Sequence, residues 1–335
     1  MNKEKNILID QFDRLHSYLR ISITERCNLR CTYCMPEEGV SLSPKSNLMS
    51  ADEIFTIAKE FVDNGVTKIR ITGGEPLVRK DVRVILEQLS TLPINLSITT
   101  NAVIVDQFIP FFKEIGLNNI NVSLDSLKEG KSNKITRRDY FTKVKANILL
   151  LIENGLNIKL NAVLIKDFND DEIIDFIEFT KSNKVSVRFI EFMPFDGNKW
   201  NLEKIVSLQA IKDQVFNHYP TDDVIRLNDE RNDTAKNYKI KNYKGSFAVI
   251  SSVTNPFCDS CNRLRLTANG QLKNCLFSSG ESDLLTSLRN GEPIAPVIKM
   301  AVLQKKKIRS GMESIKDFEN PKFHEGNRSM TTIGG

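Results

Sequence analysis

Histidine is scarce in this chain: only His16, His218 and His324 occur in 335 residues. That leaves little material for a metal centre built on imidazoles. No apolar run approaches the ~20 residues that cross a bilayer. Residues 1–10 carry no apolar stretch of the kind found in a signal peptide. The chain therefore reads as a cytosolic protein, where thiols stay reduced. Neither G-x-x-x-x-G-K-[ST] nor G-x-G-x-x-G is present. A bound nucleotide would have to be held by arginines and lysines, because no glycine-rich phosphate cradle is available. Nucleic-acid modules, low-complexity segments and internal repeats are also missing. Positive charge is in slight excess, 47 Lys+Arg against 42 Asp+Glu, which a scattered solvated surface explains as well as an anionic substrate does.

What is present is cysteine, six residues in two triplets. Cys27, Cys31 and Cys34 are separated by three and then two residues. The gap is wrong for a disulfide and short for a complete zinc site. It suits three thiolates around one compact iron–sulfur cubane, which leaves one iron open for chemistry. The alternatives are zinc with a distant fourth ligand, or thiols that are merely buried. Cys258, Cys261 and Cys275 form the second triplet, with no histidine at ligand spacing. A second [4Fe–4S] cluster is favoured there over zinc, which would need Asp259 or a remote histidine. Arg263 and Arg265 lie between these cysteines and share one side of an extended segment. They are suited to grip a phosphate chain or to balance cluster charge.

Residues 18–192 alternate short apolar runs with longer amphipathic ones. Strands are expected at 19–23, 68–72, 95–100, 119–124, 157–164 and 185–192. Helices are expected at 50–64, 81–89, 105–115, 141–154 and 171–182. Ser50 and Glu53 have capping-box spacing, and Gly65, Gly116 and Gly155 are stop signals. Six strand–helix alternations predict an α/β fold, an incomplete (β/α)6 TIM-type barrel with its site where strands end. Residues 1–215 would form this partial barrel with the N-terminal cluster. Residues 216–335 would carry the second cluster and close the barrel. The stretch 222–244 is polar and gives no reading.

Each strand has two unlike faces. One is apolar, as in Leu19/Ile21 and Ile120/Val122. The other is polar, as in Arg20/Ser22, Arg70/Thr72, Thr99/Asn101, Asn121/Ser123/Asp125, Lys159/Asn161 and Ser186/Arg188. With helices over the apolar face, the polar face must line the interior. Arg20, Arg70, Lys159 and Arg188 then stand against Asp125 alone. Buried cations without partners are costly, so an anionic ligand is expected to balance them. Otherwise these residues reach water at strand ends or pair with acids elsewhere in the chain.

The first triplet, with Tyr33 just before its last cysteine, resembles the signature of radical S-adenosylmethionine enzymes. Thr72-Gly73-Gly74-Glu75-Pro76, one β/α unit later, resembles the GGEP segment of that superfamily. Two triplets in this order, Asn262-Arg263-Leu264-Arg265 inside the second, and Gly334-Gly335 at the end resemble the GTP 3′,8-cyclase (MoaA) family of molybdenum cofactor biosynthesis. The resemblance covers residues 12–335.

It implies two [4Fe–4S] clusters on the six cysteines, with S-adenosylmethionine on the first. A 5′-deoxyadenosyl radical then takes the 3′ hydrogen of GTP, and the ribose radical attacks guanine C8. Tyr33, Gly74, Ser123 and Met193 match cofactor-contacting positions. Arg20, Arg70, Thr99, Lys159, Arg188, Arg263 and Arg265 match substrate-side positions. Arg263, Arg265 and the Gly334–Gly335 tail match elements of the catalytic site. The implied partners are GTP, a reductant, and a downstream cyclic pyranopterin monophosphate synthase, with neither nucleic acid nor membrane. Oligomeric state is open, a homodimer included. Ala102 departs from the pattern, standing where a glycine is usual, which unsettles the expected conformation of its loop. Two other readings compete. A radical S-adenosylmethionine peptide maturase would usually bring more C-terminal cysteines, and an electron carrier gains nothing from a polar lumen.

Overall fold

The computed structural model describes residues 6–36, 38–195, 198–320, 323 and 327–334. A layer of parallel strands forms its centre. β1 (Tyr18–Ser22) leads through a long loop into α1 (Ala51–Asp63). Ser50 starts that helix with a complete capping box. Glu53 N donates to Ser50 Oγ at 3.2 Å, and Ser50 N donates to Glu53 Oε2 at 2.7 Å, satisfying two otherwise orphaned amides. Ile54, Ile57, Ala58 and Phe61, spaced for one helical face, are buried against the sheet.

The alternation continues through β2 (Lys68–Thr72), α2 (Val82–Ser90), β3 (Asn95–Thr100), α3 (Ile109–Glu114) and β4 (Asn119–Ser123). It is completed by α4 (Glu129–Thr136), α5 (Phe141–Glu153), β5 (Asn157–Leu164), α6 (Ile173–Ser182) and β6 (Val185–Glu191). All six strands pair in parallel and in sequence order. Their apolar faces are sealed under the helices: Leu19, Ile21, Ile69, Ile71, Ile98, Val122, Leu160 and Val187 are fully buried. Each such side chain contributes roughly 2 kcal/mol of burial free energy. The expected helix over 105–115 begins as a 3-10 turn at Val105–Phe108, with Pro110 in the first turn of α3.

The C-terminal region adds to both edges of this sheet. After α7 (Leu208–His218) come β7 (Val224–Arg226), β8 (Lys236–Ile240) and β9 (Ser246–Ile250), and β9 pairs parallel with β6. β10 (Arg263–Leu266) pairs parallel with β1, then β11 (Gln271–Lys273) and β12 (Ser282–Asp283) follow antiparallel. The polar stretch 222–244 is thus largely a hairpin. The order β12-β11-β10-β1-β2-β3-β4-β5-β6-β9-β8-β7 runs from edge to edge. Among the described residues this region extends the barrel wall on both sides without closing it by strand pairing, contrary to the expected closure. α8 (Leu284–Arg289), α9 (Ala295–Leu303) and α10 (Met330–Ile333) complete the fold. No helix among the described residues is long and apolar enough to cross a membrane.

Strand direction fixes where the cysteines lie. Cys27, Cys31 and Cys34 follow the C-terminal end of β1. Arg265 faces Lys273 across the β10–β11 hairpin, so Cys261, two residues before β10, and Cys275, two after β11, meet at its open end. Tyr18 faces Arg263 in parallel register, which places that open end where the strands begin. The two triplets therefore stand at opposite ends of the sheet.

Candidate active site

The polar strand faces enclose a lumen of about 540 Å³. At the end where the parallel strands finish, Cys27, Cys31 and Cys34 line the wall together with Tyr33, Gly74, Ser123 and Met193. Backbone contacts hold the cysteine loop. Gly74 N donates to Thr24 O at 2.8 Å and Glu75 N to Arg26 O at 2.8 Å. A β-carbon on Gly74 would lie 2.4 Å from Arg26 O, and one on Gly73, at φ +146°, would lie 2.5 Å from Thr24 O. Both glycines are thus required by the close approach of two backbones. From the other side, Arg30 N and Thr32 N donate to Thr136 O and Ile135 O at the end of α4.

Two buried carboxyls belong to this end. Burial pushes Glu75 up to about 7, against hydrogen bonds from Asn101 N, Leu77 N and Thr100 Oγ1. Burial likewise pushes Asp125 up to about 6, against donation from Val163 N and from the Tyr33 hydroxyl at 2.8 Å. Asp125 therefore sits with the cysteine loop and not, as the alternation suggested, opposite the lumen cations. Ala102 takes φ +61°, the left-handed conformation that a glycine would adopt more easily. Its N–H donates to Thr100 Oγ1 at 3.0 Å and its carbonyl accepts from Asn147 Nδ2 at 2.7 Å. The glycine-type loop is kept with an alanine in it.

Toward the starting end of the strands the lumen is rich in cations. Arg20, Arg70, Lys159 and Arg188 project into it, with Arg263, Arg265 and Thr99. Burial pushes Arg70 down to about 9, helped by Arg20, Arg188 and Arg263. Burial, with Arg188, Lys68 and Arg70, pushes Lys159 down to about 8. Arg265 is held well below its usual range by burial and Arg20. Among the described residues no ion pair involves Arg20, Arg70, Lys159 or Arg188. Arg20 Nε, Arg70 Nε, Arg188 Nε, Arg263 Nη1, Thr99 Oγ1 and Asn161 Oδ1 are buried without a hydrogen-bond partner. Crowded cations with spare donors describe a site built for a multivalent anion.

Three features were not read from the sequence. Tyr18 and Lys68 also line the lumen, and the alternation that singled out Arg20 and Arg70 contains them. The segment 227–237 borders the lumen, bringing Glu230 and Asp233 to its wall, and Asn232 O accepts from Arg263 Nη2 at 2.5 Å. No periodic signal in that stretch marks it. The C-terminal tail folds inward. Arg328 pairs with Glu281 at 2.6 Å, Met330 and Thr331 reach the lumen, and Gly334 O accepts from buried Arg265 Nη1 at 2.6 Å. Gly334 has φ +82°, and a β-carbon there would lie 2.5 Å from Thr72 Oγ1. Gly335 lies outside the described residues.

At the other end, Cys258, Cys261 and Cys275 are close enough to feel one another's charge. Cys258 Sγ accepts from Arg309 N at 3.4 Å. Burial raises the Cys261 thiol, but Lys305 and Arg263 outweigh it and bring it down to about 7. In the first triplet burial dominates, and the neighbouring thiols and Asp125 add to it. Cys34 is pushed up to about 12 and Cys31 well above its usual value. Among the described residues no set of three His, Cys, Asp or Glu closes on a single-ion position. A cubane offers each thiolate a different iron, so its ligands stand farther apart than those of one ion. Two loose triplets of reduced cysteines fit that donor set.

Comparison with known proteins agrees in both halves. Residues 21–180 match the radical SAM superfamily and residues 185–310 match Molybdenum Cofactor Synthesis C. The chain is 48% identical to the mitochondrial GTP 3′,8-cyclase of Arabidopsis thaliana, covering 100% of this chain and 85% of that protein. It is 43% identical to the GTP 3′,8-cyclase of Listeria welshimeri, covering 88% and 90%. It is 46% identical to human molybdenum cofactor biosynthesis protein 1 over 93% of its own length, and spans about half (50%) of that longer protein. Among solved structures, Streptococcus suis SuiB shares the fold, with a TM-score of 0.61 at 17% identity over 90% of this chain and 69% of that one. Lumen, cysteine triplets and relatives agree, and the chain belongs to the GTP 3′,8-cyclase family of radical SAM proteins.

Proposed function

We propose that this chain performs the reaction for which its family is named. GTP is converted to (8S)-3′,8-cyclo-7,8-dihydroguanosine 5′-triphosphate in molybdenum cofactor biosynthesis. One observation carries the reading: a single lumen has a cysteine triplet and buried carboxyls at one end and seven basic side chains along the rest of its wall, of which Arg263 acts on Cys261 and Arg265 is acted on by Cys275 of the second triplet. A cationic cofactor and an anionic nucleotide can therefore share one cavity.

Cys27, Cys31 and Cys34 would hold a [4Fe–4S] cluster which, with S-adenosylmethionine bound, supplies a 5′-deoxyadenosyl radical. Tyr33, Gly74, Ser123 and Met193 would contact S-adenosylmethionine, and Glu75, which lines the same wall, would favour its positive charge. Arg20, Arg70, Lys159 and Arg188 would hold the triphosphate, and Thr99 would bind the nucleotide beside them. Cys258, Cys261 and Cys275 would hold a second [4Fe–4S] cluster, with Arg263 and Arg265 between it and the substrate. Arg265 would also seat the Gly334–Gly335 tail at the site. Residues 1–215 would act as the radical-generating unit and 216–335 as the unit for the second cluster. A reductant and a downstream cyclic pyranopterin monophosphate synthase would complete the pathway context.

The test is anaerobic. Reconstituted protein receives S-adenosylmethionine and reductant, with GTP, ATP or no nucleotide, and 5′-deoxyadenosine and nucleotide products are measured. A burst that requires GTP, with a matching cyclic product, is expected. Slow cleavage indifferent to the nucleotide would overturn the cyclase assignment.

A further inference from the structure

Tyr18 stands at the start of β1, on the face that looks into the lumen, and is only 5% exposed. Its hydroxyl is buried with no hydrogen-bond partner, although a buried phenol normally finds one. Its ring is surrounded by positive charge. Lys68 Nζ lies 5.0 Å from the ring centre, and the guanidinium carbons of Arg70, Arg20 and Arg263 lie at 5.5, 5.6 and 5.8 Å. Farther across the lumen Lys159, Arg188 and Arg265 also act on it. The acids on the facing segment 227–237 that reach the lumen wall are Glu230 and Asp233, and Asp233 acts on Arg188.

An orphaned donor at the centre of a cation cluster has one natural acceptor, the anion that the cluster binds. Deepening the reading of the lumen as a GTP site, we propose that Tyr18 is a positioning residue for the substrate's polyphosphate. Its hydroxyl donates to a phosphate oxygen in the complex and gives up that proton to solvent when the lumen is empty. The phenolate then serves as the cluster's internal counter-charge, and polyphosphate binding displaces that role. On binding, the phenolate oxygen takes one proton from the buffer acid, which is left as its conjugate base, and no other covalent bond is made or broken. The charge balance agrees. Burial alone would raise the phenol, but Arg70, Arg20, Lys68 and Arg263 outweigh it and bring it down to about 7. An arriving polyanion cancels that field and returns the group to its protonated form.

The test is calorimetry on the anaerobic holoenzyme with GTP and with inorganic tripolyphosphate, in two buffers of different ionisation enthalpy. Wild type should take up roughly half to one proton more per ligand than Tyr18→Phe at pH 8, and almost none more at pH 6. At pH 6 Tyr18→Phe should bind tripolyphosphate about tenfold more weakly. That gap should narrow as pH rises, because the wild-type phenolate then competes with the ligand. A merely structural tyrosine would weaken binding equally at every pH. Equal uptake by both proteins would overturn the proposal, as would uptake lost in Lys159→Gln and kept in Tyr18→Phe. Uptake with GTP but not with tripolyphosphate would overturn the polyphosphate assignment. Should Tyr18→Phe not load its clusters, Lys159→Gln decides: proton uptake kept in that variant supports Tyr18, and uptake lost there assigns the proton to Lys159 and overturns the proposal. Absence of any GTP binding by wild type would instead overturn the cyclase reading.

Discussion

The two ends of the lumen are built on the same strands and carry opposite charge. At the finishing end, Glu75 and Asp125 are buried carboxyls pushed up to about 7 and about 6. Toward the starting end, Arg70 and Lys159 are pushed down to about 9 and about 8. Each end pays desolvation for charges of one sign, and each is relieved by a ligand of the other sign. S-adenosylmethionine is a sulfonium carrying an ammonium group, and GTP is a polyanion. Under the proposed function the difference between the ends would act as a physical sorting rule, orienting two ligands in one cavity without a glycine-rich phosphate loop.

The largest expected effect would break the symmetry between the cysteine triplets. Cys27→Ala should reduce 5′-deoxyadenosine formation below detection. Cys275→Ala should retain some cleavage that no longer leads to cyclised product, measured by chromatography of both products. Survival of cyclised product in either variant would contradict the division of labour.

Arg70→Ala and Arg188→Ala probe the cationic end. Removing one charge-assisted contact should raise the KM for GTP about tenfold or more, while the Kd for S-adenosylmethionine stays within about twofold. An unchanged KM in both variants would refute the anionic lumen.

The pH dependence should differ between the ends. Glu75 is raised, so its carboxylate is fully present only above about 7 and is lost as pH falls through that value. Affinity for S-adenosylmethionine should decline from pH 8 to pH 6, and Glu75→Gln should flatten the profile. Lys159 is lowered, so its charge is present below about 8 and lost above it. Affinity for GTP should decline in the opposite direction.

The smallest effect concerns Ala102. Relief of its left-handed conformation in Ala102→Gly should stabilise by up to about 1 kcal/mol, less the greater unfolded-state freedom of glycine. A thermal melt with Tm unchanged or slightly raised is expected, and a clear fall would show that the methyl group packs usefully.

The parallel core was legible because each strand has one apolar face and three of the five expected helices have a start or stop signal, as at Ser50 and Gly65. Helix α4 was not legible. Its sequence, Glu129 to Thr136, is polar and lacks an apolar stripe, and it buries only Ser132 and Ile135. β7 and β8 were hidden for a similar reason, since much of their surface is exposed and their polar residues show no clean period. At the site, spacing alone marked both cysteine triplets, and alternation marked Arg20, Arg70, Lys159 and Arg188. The same alternation contained Tyr18 and Lys68, one pleat earlier on β1 and β2. No local pattern could reveal Glu230, Asp233 or the Arg309 amide at Cys258, because tertiary folding alone brings them to the site. Spacing likewise could not show that Asp125 would pair with Tyr33 in the cysteine loop.

The central claim, two clusters facing each other across one polarised lumen, is tested most directly by iron and acid-labile sulfide analysis. The anaerobically reconstituted wild type, Cys27→Ala and Cys258→Ala would be measured together with zinc. The account predicts about eight irons per chain in wild type and about four in each variant, with negligible zinc. About four irons and one zinc in wild type, with the zinc lost in Cys258→Ala, would contradict it.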